Sequence, residues 1–245
     1  MQTVLITGAN RSIGLETAKQ LSEKGLFVYL GSRNLENGEN VVKELIEQGF
    51  QNIKAIEIDV TNPESVSAAK NTIENEQGKL DILINNAGIL GVNPQTAAET
   101  SVQDIKDVFE TNFFGVIQVT QAFLDLLKRS ESPRISNITS GLGSVTLHND
   151  PDWKYYHAKT AAYGPSKSAL NAYTTVLAYE LRELPFKVNV IDPGYTATDF
   201  NHHSGPGSVE NAASFIIKHT VTDADHPTGQ FYSNDIEDEI GISPW

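Results

Sequence analysis

The sequence has no cysteine among its 245 residues and only one methionine. The absence of cysteine excludes disulfides, thiolate catalysis and cysteine-ligated zinc. Basic residues are also few, since 18 Lys and Arg are set against 31 Asp and Glu, for a net charge of −13. An acidic surface repels phosphate polymers and anionic lipid, so we expect neither nucleic acid nor a membrane as a partner.

Long apolar segments are missing as well. No run approaches the roughly 18 apolar residues that cross a bilayer, and no basic segment followed by a long apolar one stands at the N-terminus. The sequence therefore predicts a cytoplasmic protein without a signal peptide. Its 39% hydrophobic content predicts one domain over residues 1–245.

Strand patterns alternate with helix patterns along the whole chain. Short apolar runs predict strands at residues 3–7, 26–31, 53–58, 80–85, 133–139, 186–191 and 229–232. Amphipathic patterns predict helices at 13–24, 35–48, 102–128, 163–184 and 208–219, with another after a capping box of Thr61 and Glu64. This alternation is typical of an α/β fold, a doubly wound parallel sheet of about seven strands with helices on both faces.

The turn after the first predicted strand reads Thr7-Gly8-Ala9-Asn10-Arg11-Ser12-Ile13-Gly14. Small residues here let the backbone approach a pyrophosphate at a helix N-terminus, although an ordinary turn can also hold two glycines. The turn resembles the T-G-x-x-x-G-x-G motif of the short-chain dehydrogenase/reductase family. Ser12 replaces the second glycine of that motif, and serine tolerates a positive φ less well.

Other segments resemble motifs of the same family in the same order, over residues 4–231. They are Asn85-Asn86-Ala87-Gly88, Tyr163-Gly164-Pro165-Ser166-Lys167 and Pro193-Gly194. The resemblance implies a single-domain Rossmann-type fold with a nicotinamide cofactor. It implies cofactor contacts from Gly8, Asn10, Arg11, Ser12, Ile13, Gly14, Arg33, Asp59, Val60, Asn86, Ala87, Gly88, Tyr163, Lys167, Pro193, Gly194, Thr196 and Thr198. For Asp59, a helix-entry cap is the alternative.

The choice of cofactor depends on charge. Binders of NAD place an acidic residue at the end of the second strand, where this sequence has Ser32-Arg33 and no acid. Arginine can instead grip a 2′-phosphate, and Arg11 lies in the glycine-bearing turn. The sequence therefore predicts NADP(H), although both arginines could also be solvated surface groups.

The proposed catalytic pair is Tyr163 and Lys167, which share a face if the segment is helical. A phenol has a pKa of about 10, and a nearby ammonium together with an oxidised nicotinamide would lower that pKa. The resemblance implies that Ser140 polarises the substrate oxygen. It also implies that Asn112 kinks its helix and holds a water that relays protons to Lys167.

Two segments have no transferable motif. Residues 145–160 lengthen the gap before Tyr163 and resemble the insertion of carbonyl-reductase-like members. Their Trp153, Tyr155 and Tyr156 either wall a pocket or anchor a loop, and the insertion leaves both a homo-oligomer and a monomer open. Residues 200–219 are predicted to form a substrate lid. His202 and His203 have no third ligand at helical spacing, so we expect no metal.

Together these features predict an NADPH-dependent reductase of ketones or aldehydes, which would also oxidise alcohols in reverse. Two alternatives are a 3-oxoacyl-thioester reductase and a non-catalytic protein that binds or senses NADPH. The first would need a basic docking patch, which the charge of −13 argues against. The second would be expected to lack Tyr163, Lys167 or Ser140.

Overall fold

A parallel sheet forms the centre of the molecule. The computed structural model describes residues 1–236 and 240–245. The strands in these residues are β1 Thr3–Ile6, β2 Phe27–Ser32, β3 Ile53–Glu57, β4 Ile82–Asn85, β5 Arg134–Ile138, β6 Lys187–Asp192 and β7 Phe231–Ser233. They form one sheet in the order β3-β2-β1-β4-β5-β6-β7, and every neighbouring pair is parallel. The predicted doubly wound fold is thus confirmed.

Helices connect the strands. They are α1 Ser12–Glu23, α2 Leu35–Glu47, α3 Pro63–Gln77, α4 Val102–Phe109, α5 Gly115–Leu127, α6 Val145–His148, α7 Tyr163–Glu180 and α8 Val209–Thr220. A π-helical segment, Glu110–Phe114, joins α4 to α5, and short 3-10 turns occur at Gly141–Gly143 and Asp199–Asn201.

Each face of the sheet carries its own apolar core. Successive side chains of a strand point to opposite faces, so Leu5 joins one core while its neighbours Val4 and Ile6 join the other. The first core includes Phe123 of α5 and the second includes Leu21 of α1. Strands buried on both faces explain the nearly continuous apolar runs of the sequence.

Three details differ from the sequence-based prediction. The pattern over 102–128 is not one α-helix, because the π-helical segment interrupts it. The predicted capping box of Thr61 and Glu64 is wrong, since Asn62 caps α3 and its side chain accepts from the backbone of Glu64 and Ser65. Helix α7 ends at Glu180, short of the predicted residue 184.

The sheet has its switch point between β1 and β4. The chain builds outward from β1 through β2 to β3 and then returns to place β4 on the other side of β1. Connections leave in opposite directions there, which opens a crevice beyond the carboxyl ends of the strands. Residues 209–219 of the predicted lid belong to α8, which packs on the sheet through Ile216. Movement of the loop before α8 stays a prediction.

Candidate active site

A cavity of about 860 Å³ opens at the carboxyl edge of the sheet. Its size is within the usual range for small-molecule and cofactor sites. Every residue predicted to contact the cofactor lines it, namely Gly8, Asn10, Arg11, Ser12, Ile13, Gly14, Arg33, Asp59, Val60, Asn86, Ala87, Gly88, Tyr163, Lys167, Pro193, Gly194, Thr196 and Thr198. Ser140 lines it too, whereas Asn112 lies just behind the wall and Thr111 takes its place in the lining.

Tight packing shapes the turn after β1. Gly8 has φ +63°, and a Cβ at this position would lie 2.9 Å from the Cα of Ala87. At Gly14 a Cβ would lie 2.6 Å from Nδ2 of Asn86. Any larger residue would therefore push the turn away from β4, and glycine keeps the backbone amides open to a ligand.

Hydrogen bonds tie this turn to the end of β4. The Thr7 hydroxyl accepts from the backbone amides of Asn86 and Ala87, both at 3.0 Å. In return, Nδ2 of Asn86 donates to the carbonyls of Thr7 (2.9 Å) and Gly8 (3.0 Å). The Asn86-Ala87-Gly88 segment therefore holds the two sides of the switch point together.

Ser12 adopts the conformation that the family glycine would favour. Its φ is +51°, in the left-handed region, and its hydroxyl donates to Oδ2 of Asp199 at 3.4 Å. A left-handed serine carries a backbone strain that glycine would not. The substitution therefore preserves the turn, and adds a contact to the loop beyond β6.

Two arginines border the end of the cavity beside the glycine-bearing turn. Arg11 and Arg33 are both exposed, and neither forms an ion pair with any described residue. Ser32, which precedes Arg33 at the end of β2, is buried and donates its hydroxyl hydrogen to the carbonyl of Asn34 at 2.8 Å. Both guanidinium groups are thus available to an anion.

Asp59 follows β3, the neighbour of β2, and also lines the cavity. Its Oδ1 accepts from the backbone amide of Thr61 at 3.0 Å and from the Thr61 hydroxyl at 2.8 Å. Because Asn62 caps α3, Asp59 is not the helix cap that the alternative interpretation required.

Tyr163 and Lys167 point into the same part of the cavity. They begin α7, are 9% and 4% exposed, and place the Lys167 Nζ 5.8 Å from the centre of the Tyr163 ring. Nζ also donates to the carbonyl of Ile138 at 2.8 Å. Pro165 is the third residue of the helix, where no intrahelical amide bond is lost.

Burial dominates the ionisation of this pair. It raises the pKa of Tyr163 above its ordinary value, the Asp192 carboxylate raises that pKa further, and Ser140 lowers it. Burial lowers the pKa of Lys167 and Asp192 raises it, and the resulting pKa is about 8. Within the protein alone, desolvation of the phenolate outweighs the protein charges. That Lys167 together with an oxidised nicotinamide lowers this pKa stays a prediction.

Ser140 reaches the same point from the end of β5. It begins the 3-10 turn Gly141–Gly143, and its hydroxyl accepts from the backbone amide of Leu142 at 3.2 Å. Its side chain also interacts with the Tyr163 phenol. Three predicted side chains, those of Ser140, Tyr163 and Lys167, thus converge at one end of the cavity.

Asn112 lies in the π-helical segment and is fully buried. Its side chain pairs with the backbone of Ile89, accepting from N at 2.8 Å and donating to O at 2.9 Å. It also donates to the Ser166 hydroxyl at 3.1 Å. Asn112 thus bonds both to the segment after β4 and to helix α7, and these bonds explain why the helix widens here.

Aromatic rings line the cavity beside the three converging side chains. Tyr155 from the insertion lies edge-on to Tyr195, with ring centres 5.7 Å apart, and Phe200 lies 5.5 Å from Tyr163. Trp153 packs behind Tyr155 at 5.6 Å and is not part of the lining. Tyr155 thus forms part of the cavity wall, whereas Trp153 anchors the insertion behind it.

A sequence model of the family described as short chain dehydrogenase matches residues 2–208. The chain belongs to the short-chain dehydrogenase family. Its members are oxidoreductases, and the geometry above places their characteristic segments around one cavity. In this short-chain dehydrogenase, no helix among the described residues is long and apolar enough to cross a membrane.

Known proteins resemble this short-chain dehydrogenase over nearly its whole length. Short-chain dehydrogenase anuI of Penicillium roqueforti is 38% identical over 220 residues, which cover 88% of this chain and 86% of that protein. (−)-Isopiperitenone reductase of Mentha piperita is 30% identical over 302 aligned positions, with coverages of 94% and 96%. The structure of NADPH-bound carbonyl reductase from chicken fatty liver has a TM-score of 0.85 at 25% identity, with coverages of 100% and 99%.

Sequence reasoning missed two polar residues of this short-chain dehydrogenase. Gln95, 8% exposed, accepts from the amides of Ala162 (2.9 Å) and Tyr163 (3.0 Å) and so caps the helix that begins with Tyr163. Asp192, 3% exposed, ends β6 and lines the cavity. In the sequence, only the position of Asp192 directly before Pro193 could have identified it as a site residue.

Proposed function

We propose that this protein is an NADPH-dependent carbonyl reductase of small molecules, with Tyr163 as its acid. The observation that carries the proposal is the convergence of Tyr163, Lys167 and Ser140 in one cavity with the glycine-bearing turn. A phenol, an ammonium and a hydroxyl at one point suit the protonation of a carbonyl oxygen. NADPH, when bound, would supply the hydride.

The end of the cavity beside the glycine-bearing turn fits a dinucleotide. Gly8 and Gly14 leave no room for a Cβ, so the backbone at the N-terminus of α1 can meet a pyrophosphate. Arg11 and Arg33 are exposed, and within the described residues they have no acidic partner, as gripping a 2′-phosphate requires. The similarity to a carbonyl reductase crystallised with NADPH supports the same choice.

The remaining roles follow from the positions of the side chains. The Tyr163 hydroxyl would donate its proton to the substrate oxygen as negative charge develops there, and the Ser140 hydroxyl would stabilise that charge with a hydrogen bond. Because burial keeps Tyr163 protonated over the neutral range, the phenol is ready to act as the acid in reduction. Lys167, fixed by the carbonyl of Ile138, would hold the ribose and replenish the proton. Asn112 would support that relay.

The test is the oxidation of NADPH over a panel of neutral ketones, aldehydes and 3-oxoacyl thioesters. We expect turnover with the neutral carbonyls and a loss of at least about 100-fold in kcat for Tyr163→Phe, the scale of general acid catalysis. Tyr179→Phe, on the exposed side of the same helix, is the matched control and should keep full activity. Activity that survives Tyr163→Phe would refute the assigned acid. Binding of NADPH without turnover would favour a sensing protein.

A further inference from the structure

Asp192 is a buried carboxylate in the reaction end of the cavity. It is the last residue of β6 and pairs in register with Ser233 of β7. Its side chain is almost fully enclosed, yet it forms no ion pair with any described lysine, arginine or histidine. A buried charge without a cationic partner is costly unless hydrogen bonds stabilise it, so its presence calls for an explanation.

Three donors surround the carboxylate. The Ser233 hydroxyl donates to Oδ2 at 2.7 Å, and the backbone amide of Gly194 donates to Oδ1 at 3.0 Å. The backbone amide of Gly141 donates to it as well. Asp192 therefore joins three segments of chain, namely the turn that carries Ser140, the Pro193-Gly194 loop and strand β7.

Within residues 1–236 and 240–245, charged or titratable groups act on Asp192 from two neighbouring elements. Helix α7 presents Tyr163 and Lys167, and the segment after β7 presents Asp235. Burial and the Asp235 carboxylate raise the pKa of Asp192, the three donors lower it, and the resulting pKa is about 6. The group is therefore an anion at neutral pH and above. Its charge favours the protonated forms of both Lys167 and Tyr163.

We propose that Asp192 is a positioning residue for carbonyl reduction: its carboxylate fixes the Ser140-Gly141 turn against β6 and β7 and holds a negative charge toward Lys167 and Tyr163. This inference rests on the proposed function. The bond to Gly141 would keep the Ser140 hydroxyl at the substrate oxygen. The charge would keep a proton on Lys167, ready to pass to Tyr163 after each turnover.

The experiment compares Asp192→Asn with Ser233→Ala. The first change keeps the side-chain shape but removes the charge and the acceptor for one amide, whereas the second removes one hydrogen bond and leaves the charge. The first readout is the titration of Lys167 by NMR of isotope-labelled lysine side chains, with Lys167→Arg to assign the resonance. The second is kcat with NADPH over pH.

We expect the Lys167 midpoint, about 8 in the wild type, to fall by about 1 pH unit in Asp192→Asn, the lower end for loss of a neighbouring opposite charge. The midpoint should stay in place in Ser233→Ala. For kcat we expect a fall of about 10-fold in Asp192→Asn, with KM for NADPH within about threefold, and a fall of less than about threefold in Ser233→Ala.

An unchanged Lys167 midpoint in Asp192→Asn would overturn the inference, whatever happens to kcat, because a merely structural role lowers activity without moving that titration. If Asp192→Asn fails to fold, Asp192→Ser also removes the charge, leaves space for water and serves in the same titration. The titration needs no substrate. A wild-type protein that reduces no carbonyl would therefore refute the proposed function, whereas the titration would still show whether the Asp192 charge acts on Lys167.

Discussion

Loss of the Gln95 side chain should displace Tyr163, the proposed acid, although Gln95 makes no bond to the phenol. Its Oε1 accepts from the first amides of α7, and its Nε2 donates to the carbonyls of Leu90 (2.7 Å) and Val92 (2.8 Å). One side chain thus fastens the N-terminus of the helix to the loop after β4. We choose the change Gln95→Leu, which keeps the volume and removes all four bonds.

The expected cost follows from these bonds. Each backbone amide left without an acceptor when buried costs about 1–3 kcal/mol, and Gln95 serves two of them. Because Gln95 borders the cavity, water can reach part of the gap. We therefore expect a loss of about 2–4 kcal/mol in the free energy of unfolding. A shift of Tyr163 by about 1 Å would lower kcat/KM by up to about 100-fold.

Urea unfolding measures the first quantity and NADPH oxidation the second. The matched control is Gln103→Leu, at an exposed glutamine of α4 whose side chain donates to Asp107 within its own helix. It should change either quantity little. A Gln95→Leu protein with the stability and the kcat/KM of the wild type would show that the cap does not position Tyr163.

Three further changes test other parts of the molecule. Arg33→Ala should weaken NADPH binding by about 1.5–3 kcal/mol in fluorescence titrations and leave NADH nearly unaffected, and equal weakening of both would contradict the 2′-phosphate assignment. Burial lowers the pKa of His219 to about 4, and its ring stacks on Tyr232 at 3.9 Å. The unfolded chain, with a histidine pKa of about 6.5, then takes up the proton first, so stability falls by up to about 3 kcal/mol as pH drops from about 6.5 to about 4. In urea titrations across that range His219→Phe should remove this part of the fall, and a pH dependence identical to the wild type would be inconsistent with a neutral buried ring. Ser12→Gly should raise the free energy of unfolding by about 1 kcal/mol by relieving the left-handed φ, and a thermal midpoint that falls would mean that the contact with Asp199 matters more.

Local patterns predicted most of the fold. Apolar runs of about four to seven residues recur between helical patterns, and these two periodicities depend only on near neighbours in the chain. The turn after β1 could be predicted for the same reason, since Gly8 and Gly14 act on their own backbone. The pairing of Tyr163 with Lys167 likewise needs only one helical turn.

Two further features depend on contacts between distant segments. Asn112 interrupts its helix because Ile89 and Ser166 bind its side chain from two other elements. Gln95 caps a helix that begins 68 positions later. Neither residue follows a local rule: only the family resemblance indicated Asn112, and no pattern of neighbours identifies Gln95.

The amino-acid sequence by itself determined the parallel sheet, the place of the cavity at its carboxyl edge and the residues that meet there, because strand and helix periods and turn chemistry act over a few residues. Tertiary structure alone decided how those residues ionise. The pKa of Tyr163 depends on how completely packing excludes water and on Asp192, which approaches from another strand. Desolvation and charge act through space, and the order of residues along the chain does not contain those distances.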